Sequence, residues 1–174
     1  VSIHAPTRGA TFTLSSSQTA TSVSIHAPTR GATIQSMDVI IKPDEWVIPQ
    51  EVIDIHGITN VHAMNVGVLE SLALVMFLAM WNNGKRVAHN TTFDNRIIRI
   101  ATKRYSPSTL IDAWKEGDYE CTGQLSRKAM GMGKMPKLTE AYQHYMGKEL
   151  EDAHSAWADA IACKDIYFAM KDQA

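Results

Sequence analysis

Regular spacing of apolar residues begins after residue 36, and it alternates between strand-like and helix-like periods. The pattern predicts strands at Met37–Lys42, Arg86–His89 and Tyr119–Thr122, and helices at Asn60–Asn82, Asp94–Arg104, Ser106–Trp114 and Lys137–Met146, with a last helix from Asp152 or Ser155 to about Lys171. A loop is predicted over Gly131–Pro136. Short strands that alternate with helices indicate an α/β fold.

Composition and charge narrow the class of protein. The 174 residues fit one domain, and the net charge of −1 excludes a bulk electrostatic grip on nucleic acid but allows a local basic groove. The most apolar run, Val66–Trp81, is shorter than the ~20 residues of a membrane span and contains Glu70, so we expect a buried amphipathic helix and no membrane partner. Cys121 and Cys163 form no disulfide framework, which favours a cytoplasmic location.

The N-terminal segment contains an exact repeat and lacks the regular apolar spacing of the rest of the chain. Val1–Thr11 and Val23–Thr33 are both VSIHAPTRGAT, and a Ser/Thr-rich spacer separates them. Structural repeats drift in sequence, so perfect identity indicates repetition in the DNA, and the repeat resembles a translated CRISPR array. The alternative is a Ser/Thr-rich leader with a duplicated turn motif. We therefore expect a leader at 1–33 and a domain at 34–174.

Two polar motifs lie at the starts of predicted helices, and the first of them follows a predicted strand. In His89-Asn90-Thr91-Thr92-Phe93-Asp94, the carboxylate of Asp94 is at a helix start, where the helix dipole favours it with or without a function. His154 and Asp159 are five residues apart, so a continuous helix would hold them about 140° apart. They converge on one ligand only if His154 precedes the helix and Asp159 lies inside it.

Taken together and in order, four blocks resemble a known family. They are His56-Gly57-Ile58-Thr59, VAHNTTFD at 87–94, Lys137-Leu138 and AHSAWADA at 153–160. They resemble the DEDDh 3′–5′ exonucleases of the ribonuclease-H-like fold, and residues 37–59 look especially like phage-borne members. The fold implied is a ribonuclease-H-like mixed sheet flanked by helices, truncated at its N-terminus.

The resemblance implies hydrolysis of DNA or RNA from a single-stranded 3′ end with two Mg²⁺ or Mn²⁺ ions. It makes Asp94 and Asp159 metal ligands and His154 the general base. His56, His89 and Asn90 are candidates for substrate binding, although a structural role is an equal alternative for His56, and His89 and Asn90 are expected to orient the strand end. Lys134 and Lys137 are interpreted as solvated lysines in preference to phosphate contacts. Oligomeric state and association with a polymerase stay open.

The chain departs from this family in one motif. The family's Asp-x-Glu supplies two of its four carboxylates, but residues 1–37 contain no Asp or Glu, and Asp38 and Glu51 come too late in the order. Two hypotheses follow: an exonuclease impaired by this loss, or a catalytically inactive module that binds nucleic acid or a protein partner.

Overall fold

A computed structural model of the chain describes residues 2–3, 12–14, 23–24 and 37–172. The strands are β1 (Ser2–Ile3), β2 (Phe12–Leu14), β3 (Val23–Ser24), β4 (Arg86–Ala88) and β5 (Tyr119–Cys121). The helices are α1 (Gln50–His56), α2 (Asn60–Val66), α3 (Glu70–Trp81), α4 (Thr91–Tyr105), α5 (Ser108–Glu116), α6 (Thr122–Ala129), α7 (Leu138–Met146) and α8 (Ala156–Asp172). This order confirms the predicted α/β class.

Strand β4 lies between two layers of helices. It pairs in parallel with β5, with Val87 opposite Glu120. Because successive strand residues face opposite ways, Ala88 joins the cluster built by α3, α4 and α5, whereas Val87 packs with Cys163 and Tyr167 of α8. The strand is therefore buried on both faces, and the residues just beyond it are held by both layers.

The core beside β4 encloses an arginine. Arg86 is 1% exposed, and its guanidinium lies 4.0 Å from the ring centroid of Trp114. It donates hydrogen bonds to the carbonyl oxygens of Gly117 and Asp118 and, at 3.0 Å, to Oδ1 of Asn95. Burial lowers the pKa of Arg86 to about 10. The side chain thus joins the start of β4 to the start of β5.

The described residues of the N-terminal segment form a second sheet. Strand β2 is central in the order β1-β2-β3, with antiparallel neighbours on both sides. Thr13 pairs with Ser2 on one side and with Ser24 on the other, and these two serines are equivalent positions of the 22-residue repeat. Strand β1 lies beside β4 and α8. The rest of the predicted leader lies outside the described residues.

The single long helix predicted at Asn60–Asn82 is wrong. The chain leaves helical conformation after Val66, and Val68 makes a parallel bridge to Ile41, with hydrogen bonds of 2.8 Å on either side. Gly67 permits this approach, because a Cβ there would lie 2.8 Å from the backbone nitrogen of Lys42. The predicted strand Met37–Lys42 is correspondingly reduced to this one bridge.

The other predicted elements differ mainly at their ends. Helices α4, α5, α7 and α8 and strands β4 and β5 lie where the pattern put them, within three residues. Helix α6 was not predicted. Within the part of the chain that is described, none of the helices has the length and apolar content needed to cross a membrane.

Candidate active site

His89, the residue that follows β4, is held in place by hydrogen bonds at both of its ring nitrogens. Nε2 of His89 lies 2.9 Å from the carbonyl oxygen of Pro136, and Nδ1 lies 3.0 Å from Oγ1 of Thr122. A carbonyl only accepts, so Nε2 carries the proton and Nδ1 accepts from the threonine hydroxyl. Burial lowers the pKa of His89 and keeps this ring neutral. The side chain thus ties the end of β4 to α6 and to the 131–136 loop, and neither nitrogen is left for a ligand.

Asp94 is a buried carboxylate in the first turn of α4. It is 3% exposed, and its backbone nitrogen donates to the carbonyl of Asn90 at 3.2 Å. Burial raises the pKa of Asp94 to about 7. Among the described residues, no lysine or arginine pairs with it. A carboxylate in this position is costly to ionise unless a cation joins it.

His154 and Asp159 meet in the way that their spacing requires. Helix α8 begins at Ala156, so His154 precedes it and Asp159 lies in its first turn. His154 has a left-handed backbone with φ 77°, and its N–H donates to Oδ1 of Asp159 at 3.2 Å. Ser155 caps the helix, since its Oγ accepts from the backbone of Ala158 at 3.4 Å. The structure thus meets the condition stated for convergence, with His154 before the helix and Asp159 inside it.

The environment of Asp159 combines burial with a hydrogen bond. Burial raises the pKa of Asp159, and the hydrogen bond that its carboxylate accepts from the His154 N–H opposes this rise. The His154 side chain itself is exposed. Asp94 lies in the first turn of α4, and both α4 and α8 pack on β4.

The remaining candidates lie apart or face solvent. Asn90 is exposed, and its side chain makes no capping hydrogen bond to α4. His56 ends α1, where its Nδ1 accepts from the backbone of Ile58 at 2.9 Å and burial lowers its pKa. Within the described residues, no hydrogen bond or ion pair joins His56 to His89, His154 or Asp159. Its contacts are those of a turn that links α1 to α2.

Sequence reasoning missed the residues that hold His89. Thr122 is fully buried and also contacts Sγ of Cys163 at 3.4 Å. At Gly123 the backbone nitrogen donates to the carbonyl of His89 at 3.1 Å, and any Cβ would overlap that oxygen. The single signal was a Thr-Gly pair after a short strand, and that pair is common in loops.

The described donors fall short of a two-ion centre. Within residues 37–172, no group of three or more His, Cys, Asp or Glu side chains is placed to hold a metal ion. Asp94 and Asp159 supply hard oxygen ligands of the kind that Mg²⁺ and Mn²⁺ prefer, but two such ions need more carboxylates than these. The described residues do not fit the complete centre.

A sequence model of the RNase_T exonucleases matches residues 22–167. The chain belongs to this exonuclease family. A candidate bifunctional exonuclease/endonuclease of Mycobacterium tuberculosis is 26% identical over 124 residues, which are 71% of this chain and 18% of the relative. The chain therefore spans less than a fifth of the length of that curated relative.

Solved structures of exonucleases share the fold of this chain. Exonuclease I of E. coli, in complex with a 5cy-dT13 oligonucleotide, is 14% identical with a TM-score of 0.72, and the match covers 94% of this chain and 40% of that one. Exonuclease X in complex with 5′-overhanging duplex DNA is 16% identical with a TM-score of 0.65, over 95% and 90% of the two chains. These likenesses agree with the predicted ribonuclease-H-like fold.

Proposed function

We propose that this chain is an exonuclease domain of the 3′–5′ type, which acts on single-stranded DNA or RNA ends, and that its hydrolysis is impaired. The observation that carries the proposal is the buried carboxylate of Asp94, with which no lysine or arginine of the described residues pairs. Helix α4, which carries Asp94, and helix α8, which carries Asp159, both pack on β4. Asp94 and Asp159 are the proposed metal ligands, and the exposed ring of His154 is the proposed proton acceptor.

Divalent ions would activate water and stabilise the leaving oxygen in such a centre. In this chain the matching Asp-x-Glu is absent from residues 1–37, and the described donors form an incomplete set. We therefore expect this chain to hold at most one weakly bound Mg²⁺ or Mn²⁺. Calorimetric titration with Mn²⁺ measures this directly, and tight binding of two ions would contradict the impairment.

The activity test follows a 5′-labelled oligonucleotide with Mn²⁺ and enzyme in excess. We expect slow, stepwise shortening from the 3′ end that is lost in His154→Asn. Asparagine is chosen over alanine because it tolerates the left-handed backbone at φ 77°. His62→Asn, at an exposed histidine of α2, is the matched control and should retain the activity.

The second candidate is a module that binds nucleic acid without cleaving it. The incomplete donor set favours it, and the related folds include E. coli exonuclease I in complex with a dA16 oligonucleotide. No shortening at enzyme excess, with retained oligonucleotide binding, would select this candidate. Rapid turnover that depends on His154 would refute both the impairment and the module.

The leader at 1–33 has a proposed origin as translated CRISPR array, which stands where the Asp-x-Glu strand of the family would be expected. The identity of its two 11-residue copies supports this. Long DNA reads across the codons for Thr33 and Ile34 test whether the junction exists in one genome. Reads that instead carry an in-frame Asp-x-Glu strand upstream of Ile34 would replace the array with a native N-terminus.

A further inference from the structure

The segment from α6 to the start of α7 is basic and contains no acidic residue. Between positions 122 and 139 there is no Asp or Glu, but there are four basic residues: Arg127, Lys128, Lys134 and Lys137. We call these four residues the basic loop, although the first two lie at the end of α6. All are exposed, and in the part of the chain that is described none of them forms an ion pair. The chain as a whole carries a net charge of −1, so this positive surface is local.

Both ends of this segment are tied to the residue that follows β4. Gly123 donates to the carbonyl of His89 at 3.1 Å, and the carbonyl of Pro136 accepts from Nε2 of the same histidine at 2.9 Å. Lys137 is the next residue after Pro136. Thr122, the first residue of α6, also contacts Sγ of Cys163 at 3.4 Å. Cys163 lies about one turn along α8 from Asp159, so the segment that carries the basic loop is held next to the proposed metal ligand.

Helix stability explains only half of these charges. Arg127 and Lys128 are in the last turn of α6, where the helix dipole favours cations. Lys137 immediately precedes α7, where the same dipole disfavours a cation, and Lys134 follows a glycine in open solvent. Lys134 and Lys137 are therefore the two charges whose placement suggests an anionic ligand.

We propose that the basic loop binds the phosphodiester backbone of the single strand that enters the candidate active site. The recognition is electrostatic and independent of base sequence, because exposed lysines contact phosphates without reading base edges. This inference rests on the proposed function, since it names the substrate contact of the same site.

The chain offers a matched control on another surface. Arg99 and Lys103 are exposed on α4, also without an ion pair among the described residues. They are five and nine positions from Asp94, so they lie about 140° and 180° around the helix from that carboxylate. Removing them changes the net charge as much as removing Lys134 and Lys137 does, but on the far side of α4 from the site.

The experiment is fluorescence anisotropy with a labelled single-stranded oligothymidylate in EDTA, between 50 and 200 mM KCl. For Lys134→Ala/Lys137→Ala we expect affinity to fall about tenfold at 200 mM salt and more at 50 mM. The slope of log affinity against log salt should shrink by about 1.4, which corresponds to about 0.7 for each phosphate that is no longer neutralised. Arg99→Ala/Lys103→Ala should change affinity less than about twofold, and Lys134→Arg/Lys137→Arg should preserve both affinity and slope.

Equal reductions of affinity in the two alanine variants would overturn the proposal, as would no binding by the unmodified chain. Equal binding of oligouridylate would support backbone recognition, whereas competition by a blunt duplex as strong as by the single strand would refute the single-strand assignment. Binding in EDTA requires no hydrolysis, so failure of the nuclease assay and failure of this proposal are separate results. Circular dichroism of each variant controls for folding.

Discussion

The buried carboxylate of Asp94 makes the stability of this protein depend on pH in an unusual direction. Its pKa in the folded chain is about 7, against 3.8 for the exposed group. The folded state therefore holds the proton more tightly than the unfolded state does. The contribution of Asp94 to the free energy of unfolding is fully present below pH 3.8 and is lost as the pH rises through 7. A shift of about three units at about 1.36 kcal/mol each gives a loss of about 4 kcal/mol above pH 7.

Asp94→Asn removes the ionisation and keeps the shape of the side chain. We expect the free energy of unfolding of Asp94→Asn, relative to the native chain, to rise by about 2.7 kcal/mol between pH 5 and pH 8, because about 1.36 kcal/mol is lost from the native chain for each of the two pH units between 5 and the pKa of about 7. Urea titrations monitored by tryptophan fluorescence at several pH values measure this difference, in which other titrating groups cancel. Asp112→Asn, at an exposed residue paired with Lys115, is the matched control for the loss of one carboxylate.

Equal pH dependence in the native chain and Asp94→Asn would refute the argument that Asp94 is ionised at a cost. The same urea titrations with added Mn²⁺ at pH 8 test whether Asp94 binds the ion. If Asp94 contributes to ion binding, the metal should stabilise the native chain and leave Asp94→Asn unchanged, because an ion that binds only the folded state adds its binding free energy to stability.

Two further predictions concern packing around β4. Arg86→Met keeps apolar contact with Trp114 but leaves buried acceptors without a donor, so we expect a loss of about 3 kcal/mol in urea unfolding. Arg104→Met, on the surface, should cost less than about 1 kcal/mol, and a similar cost for both would contradict the role of Arg86. Gly123→Ala should destabilise by more than about 2 kcal/mol because of the overlap with His89, although alanine favours a helix. A methyl group at Gly133 meets open space, so the free energy of unfolding of Gly133→Ala should lie within about 0.5 kcal/mol of the native value in the same assay. Equal effects of the two substitutions would show that the backbone moves to accommodate a methyl group at Gly123.

The parts of the fold that the sequence predicts are those whose buried face is apolar. Helix α4 buries Ile98 and Ala101 at helical spacing, so its period is visible in the sequence. Helix α6 buries Thr122, Gly123 and Ser126, and this face has no hydrophobic period to detect. The break between α2 and α3 was missed for a different reason. It depends on pairing with residues 40–42, which is a tertiary contact.

In the candidate site, local contacts could be predicted from the sequence and long-range contacts could not. The relation of His154 to Asp159 follows from five residues of local geometry, and it was predictable. The partners of His89 are 33 and 47 residues away in the chain, at Thr122 and Pro136, so no local pattern encodes them. The environment of Asp94 depends on burial by several elements, and a helix-start Asp has the same sequence signature with or without it.

The hydrogen bonds of Arg86 also select between alternative pairings of β5. Strands of three residues have too few ladder bonds to choose a register by themselves, and an offset of one residue turns every side chain to the opposite face. Such an offset would carry Glu120 away from Lys85 and Lys171, with which it pairs at 3.0 and 3.3 Å, and towards the apolar layer beside Ala88. It would also displace the Gly117 and Asp118 carbonyls from the guanidinium. Charged groups on the two sides of β5 thus exclude the shifted alignment, and the correct alignment places Thr122 where His89 can reach it.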